Sequence, residues 1–199
     1  MLQVIITAFG VGGATVLGAL IGFLVGNIPH KWNDIILGFA AGIMLAAAIF
    51  GLILPAMETV GAPGIWIPAA GILCGALFLN AADKFTPHLH NITGMDREAH
   101  KNNKSLNKVM LFVMAIAIHN LPEGLAAGVG FGAGDTGNAI AVAFGIALQN
   151  IPEGMVIISP LVLSGVSKKR TFLIASFTGL IEVVGTFIGF FAASVSSAV

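Results

Sequence analysis

The sequence predicts an all-α, polytopic membrane bundle of six transmembrane helices, and three observations carry that reading. Only 9% of the 199 residues are charged, 57% are hydrophobic, and the mean hydropathy is +0.98. An ordinary soluble domain has roughly 25% charged residues. The apolar residues also fall in six runs, each long enough for a helix to cross a hydrocarbon core of about 30 Å. None of the runs shows the alternating pattern, about ten residues long, of an outer-membrane strand. Composition therefore excludes a soluble domain, a disordered chain and a peripheral protein. The formal net charge is +0, so no bulk field points to nucleic acid. One cysteine, Cys74, excludes an intramolecular disulfide and a zinc cage built on thiolates.

The spans fall at 2–26, 34–55, 64–82, 108–131, 138–163 and 171–195, within a single transmembrane domain, 1–199. Span one follows Met1 with no basic stretch ahead of it, so it reads as a span and not as a cleaved signal. Gly18, Gly22 and Gly26 in span one recur every fourth residue, as do Gly124 and Gly128 in span four and Gly185 and Gly189 in span six. Such stripes predict helices packed closely through small residues. All nine Lys and Arg residues lie in three connections: Lys31 after span one, Lys84 to Lys108 between spans three and four, and Lys168, Lys169 and Arg170 after span five. Cations collect on the cytoplasmic side, so both termini are expected outside. Segment 83–107 is expected to be a cytoplasmic loop, bearing His88, His90 and His100.

Spans four to six also contain residues that a bilayer disfavours: His119, Asn120, Glu123, Gln149, Asn150, Glu153 and Glu182. A charged side chain at mid-bilayer costs about 2.5–3.5 kcal/mol on insertion scales. No Lys or Arg lies in the interior of the spans to neutralise three glutamates, so protons or a metal cation must do so. His119, Gln149 and Glu182 each lie eleven residues into their spans. That is about 16 Å, half the core, so the three groups are expected at one depth.

The polar segments are duplicated. His119-Asn120-Leu121-Pro122-Glu123-Gly124 returns thirty residues later as Gln149-Asn150-Ile151-Pro152-Glu153-Gly154. Positions three and four apart share a helical face, so each glutamate sits beside two further ligand-type side chains and is placed to bridge two ions. Each proline lacks the N–H that would bond the carbonyl four residues back, at Ile118 and Leu148, which predicts a kink. A lone Asn-Pro in a membrane helix is usually only a kink, and a lone His usually packs. Duplication, missing countercharge and shared depth together point to metal. Imidazole, carboxylate and amide oxygen suit first-row divalent ions, Zn2+ first, with Cd2+, Fe2+ or Mn2+ also admitted. Exchangeable oxygen-rich sites suit passage better than storage.

These paired HNLPEG and QNIPEG motifs, following a basic loop with histidines, resemble the ZIP (Zrt/Irt-like) family of divalent-metal transporters, in its prokaryotic form. The resemblance extends over the whole chain. It implies a two-metal site at mid-membrane made by His119, Asn120, Glu123, Gln149, Asn150 and Glu153, with Glu182 as the acidic ligand of span six. Met44 resembles a span-two methionine that can add a thioether. Family members have eight spans, so the resemblance also implies that the last two are missing here.

The expected function is uptake of zinc-like ions across the cell membrane, with divalent metal and the lipid bilayer as partners and no nucleic acid. A homodimer is left open. The alternative is an intramembrane enzyme with a di-metal carboxylate centre; such centres usually carry Glu-x-x-His pairs, whereas the order here is His-x-x-x-Glu. No P-loop, GxGxxG or HExxH pattern points to ATP-driven pumping or other enzyme chemistry.

Overall fold

The computed structural model describes residues 1–26, 28–92 and 104–196. Among them there is no strand. The chain forms α1 (Leu2–Val25), α2 (His30–Ala46), a π-helical stretch (Ala47–Ile53), α3 (Leu54–Val60), a 3-10 turn (Ala62–Gly64), α4 (Trp66–Ile92), α5 (Lys104–Gly132), α6 (Thr136–Leu163) and α7 (Lys168–Ser196). The run His30–Val60, interrupted by the π stretch, is one of six segments long and apolar enough to cross a membrane.

Two of the expected boundaries move. Helix α4 continues through the first part of the expected loop to Ile92, and α5 begins at Lys104, inside its other end. Hydropathy marks where a helix leaves the hydrocarbon, whereas backbone hydrogen bonding continues into polar residues that tolerate helix well. The second helix also starts earlier than expected, at His30, directly after Pro29.

α1, α6 and α7 form the buried centre, with α5 lying along α7 and α1 along α6. α4 is peripheral: none of its apolar window is buried. Between helices in lipid there is little hydrophobic drive, so close van der Waals packing has to hold them. Glycine supplies it. A Cβ on Gly18 or Gly22 of α1 would collide with the backbone of Ile151 or Met155 of α6, and one on Gly154 with that of Thr15. On the other pair, Gly124 and Gly128 of α5 abut the backbone of Glu182 and Thr186, while Gly185 and Gly189 of α7 abut Leu121 and Leu125. Gly26 is an exception to its stripe. It has φ 71°, ends α1 and, among the described residues, has open space around its Cβ position, so it caps the helix.

The interruption in the second span has a local cause. Pro55 has no N–H to offer the Gly51 carbonyl four residues back, and Asn138 Nδ2, at the start of α6, donates to that carbonyl at 2.8 Å. The π stretch lies between Met44 and Pro55, and its Ala47, Ala48 and Leu52 face the cavity described below.

Candidate metal centre

Both prolines of the duplicated motif lie inside unbroken helices, Pro122 in α5 and Pro152 in α6. Along the helices the polar residues occupy a layer between two apolar clusters. One contains Ala19, Val113, Ile157, Leu161 and Ala175; the other contains Val11, Ala127, Val142 and Ile146. On α1, Thr15 falls between Val11 and Ala19; on α5, Asn120 falls between Val113 and Ala127; on α6, Gln149 and Asn150 fall between Ile146 and Ile157. Helices running in opposite directions thus bring their polar residues to one level.

Within that layer Glu182 is fully buried, and three side chains donate to its carboxylate. Asn120 Nδ2 reaches Oε1 at 2.5 Å, Asn150 Nδ2 reaches Oε2 at 2.7 Å, and the Thr15 hydroxyl lies 3.0 and 3.1 Å from the two oxygens. Each asparagine also donates to a backbone carbonyl: Asn120 to Thr178 at 3.3 Å and Asn150 to Val11 at 3.2 Å. A buried charge is tolerable only with such partners.

The two motifs are tied directly as well. Gln149 Nε2 donates to Glu123 Oε2 at 2.6 Å and to Asn150 Oδ1 at 3.0 Å. What the network leaves over is specific: Asn120 Oδ1, Glu123 Oε1 and Gln149 Oε1 are buried without a hydrogen-bond partner. All three are acceptor oxygens. An unmatched buried acceptor costs about 1–3 kcal/mol, so three of them in one polar layer call for a cation or a bound donor.

His119 is exposed, and its Nδ1–H donates to the Ala115 carbonyl at 2.7 Å, which leaves Nε2 as the nitrogen able to ligate. Glu153, one turn beyond Gln149, is half-buried and lies within electrostatic reach of Glu123. Met44 lines a cavity of about 190 Å³ together with Pro122, Glu123 and Gln149. Asn120, Glu123, Gln149, Asn150 and Glu182 therefore form one connected group, with Met44 beside it across the cavity and His119 and Glu153 on its flanks. Among the described residues no three His, Cys, Asp or Glu side chains converge closely enough to hold an ion by themselves. The side chains of His88 and His90, and all of His100, lie outside the described residues.

Residues 90–199 match the family model described as "ZIP Zinc transporter". The chain is 39% identical to "Zinc transporter GufA" of Myxococcus xanthus over 193 residues, which is 94% of this chain and 75% of that protein. The chain belongs to the ZIP family. It is also 40% identical to "Zinc transporter ZIPB" of Bordetella bronchiseptica, over 88% of this chain and 58% of that protein. Against "Zinc transporter ZupT" of Streptococcus mutans the identity is 32%, over 94% of this chain and 73% of that protein. Membership fits the six apolar helices and the duplicated motif of this ZIP chain.

Sequence reasoning passed over two residues. Thr15 gave no signal, because a threonine in an apolar helix commonly bonds its own backbone. Asn138 looked like an ordinary span-end residue, although the missing N–H of Pro55 was itself readable and left a carbonyl in need of a donor.

Proposed function

We propose that the chain moves divalent transition-metal ions, zinc foremost, inward across the cell membrane through a two-metal site in the polar layer. Cadmium, iron and manganese(II) are the secondary cargoes that the donor set admits. The supporting observation is the trio of buried, unmatched acceptor oxygens on Asn120, Glu123 and Gln149, all within the duplicated motif. In this reading Glu123 and Glu153 each serve two ions. His119 Nε2 and the Met44 thioether complete one of them, and Asn120, Asn150 and Glu182 belong to the other.

An incoming ion sheds water, exchanges among these oxygens and leaves on the cytoplasmic side, where segment 83–107 and its histidines are placed by the distribution of Lys and Arg. Both termini are then outside. A negative-inside potential favours entry by about 4.6 kcal/mol per 100 mV for a doubly charged ion. Similarity to proteins named as zinc transporters supports this cargo over the di-metal enzyme, for which no observation speaks. The test is zinc flux into sealed vesicles reconstituted with the chain. Uptake that saturates, and that Glu123→Ala and Glu153→Ala each abolish, is expected; flux that both variants retain would overturn the reading.

A further inference from the structure

The packing of α1 on α6 and of α7 on α5 is the same arrangement made twice. Gly154 closes the second motif against the backbone of Thr15, and Gly124 closes the first against the backbone of Glu182. Asn150 donates to the carbonyl of Val11, four residues before Thr15, and Asn120 to the carbonyl of Thr178, four residues before Glu182. Gly18 and Gly22 follow Thr15 at the spacings at which Gly185 and Gly189 follow Glu182, and they meet the corresponding residues of the other motif. Thr15 and Glu182 are therefore counterparts, separated by 167 residues, and their side chains bond each other where the two halves meet.

We infer that Thr15 is a positioning residue for the metal centre. Its hydroxyl donates to both oxygens of Glu182 and holds the carboxylate facing Asn120 and Asn150. With its NH2 group held by Glu182, each asparagine turns its carbonyl oxygen the other way. Asn120 Oδ1 is then left buried and unmatched, and Asn150 Oδ1 receives Gln149, which in turn fixes Glu123. One neutral donor on α1 thus sets the orientation of ligands on α5 and α6. A carboxylate at this position, as on its counterpart, would face Glu182 without a proton or cation between them. The site is full there: Thr15 is fully buried, and the neighbouring crossing of α1 over α7 has Gly12 against Gly179.

This inference rests on the metal-site reading above. The test is zinc affinity of the purified 199-residue chain, by competition with a fluorescent chelator, for wild type, Thr15→Val and Thr15→Ser. Valine keeps the shape and removes the hydroxyl, whereas serine keeps the hydroxyl. Removing a group that orients a metal ligand typically weakens binding about 10–100-fold, and the valine variant should fall in that range. The serine variant should recover most of that affinity, and all three should remain folded without metal, as circular dichroism reports. Thr15→Ala supplies the same comparison if valine does not fold. Valine or alanine binding zinc as wild type does, or serine losing as much as valine, overturns the inference and leaves the metal site standing. A wild type that binds no zinc overturns both.

Discussion

Gln149 Nε2 donates to Glu123 Oε2 at 2.6 Å, so the first residue of the second motif is bonded to the glutamate of the first. The bond runs between α5 and α6, and it turns a repeat in sequence into one connected group in space. Each partner keeps one oxygen unmatched, Glu123 Oε1 and Gln149 Oε1.

Glu123 should matter to every ion bound. On the proposed two-ion reading Glu123→Ala removes a shared ligand, and it takes from the Gln149 amide one of its two acceptors. Zinc affinity is expected to fall by about 100-fold or more, beyond the loss typical of groups that only orient ligands. Titration calorimetry should show both binding events gone. Two intact events would remove the shared-ligand assignment.

His119 should behave differently. It is exposed, and only its Nε2 is available, so His119→Ala is expected to weaken one ion and spare the other. Anomalous scattering at the zinc edge would then show one strong peak and one weak or absent peak. Equal loss of both would place His119 at the centre of the site and not on its flank.

Glycine contacts give a prediction about stability. Gly154→Ala drives a methyl into the Thr15 carbonyl, whereas Gly13→Ala meets open space on the same bundle. Overpacking of this kind costs about 1–3 kcal/mol, while surface changes usually stay within about 0.5 kcal/mol. Thermal unfolding in detergent should separate the two variants by several degrees. Coincident melting curves would mean that α1 and α6 do not meet as described.

The π stretch is also testable. Asn138→Ala removes the donor to the Gly51 carbonyl and is expected to destabilise the chain by about 1–3 kcal/mol. In a Pro55→Ala background a backbone N–H is restored four residues after Gly51, so the same substitution should cost much less. A double-mutant cycle checks this, and additive effects would contradict the link between Pro55 and Asn138.

Six helices, their small-residue stripes and the duplicated motif were all legible in the sequence, because hydropathy and spacing act locally. The motif also marked the polar layer, since glutamates without countercharge are rare in an apolar segment. What stayed hidden depended on which helices become neighbours. Thr15 has no local peculiarity, and only the crossing of α1 over α7 places its hydroxyl on Glu182, 167 residues away. Gly154 read simply as the end of a motif until α1 packed on it. Hydropathy likewise could not see α4 run on to Ile92, because it reports solvent and not backbone hydrogen bonds. Gly26 matched the stripe by spacing alone, and its positive φ shows that it ends α1 instead.

The central claim is that the two motifs together hold metal. Its most direct measurement is the zinc content of the purified chain after equilibrium dialysis, by elemental analysis, for wild type and for the Glu123→Ala, Glu153→Ala double variant. The account predicts two zinc ions per wild-type chain and none in the double variant, with the variant still folded by circular dichroism. Wild type without bound zinc, or a folded double variant that keeps both ions, would contradict it.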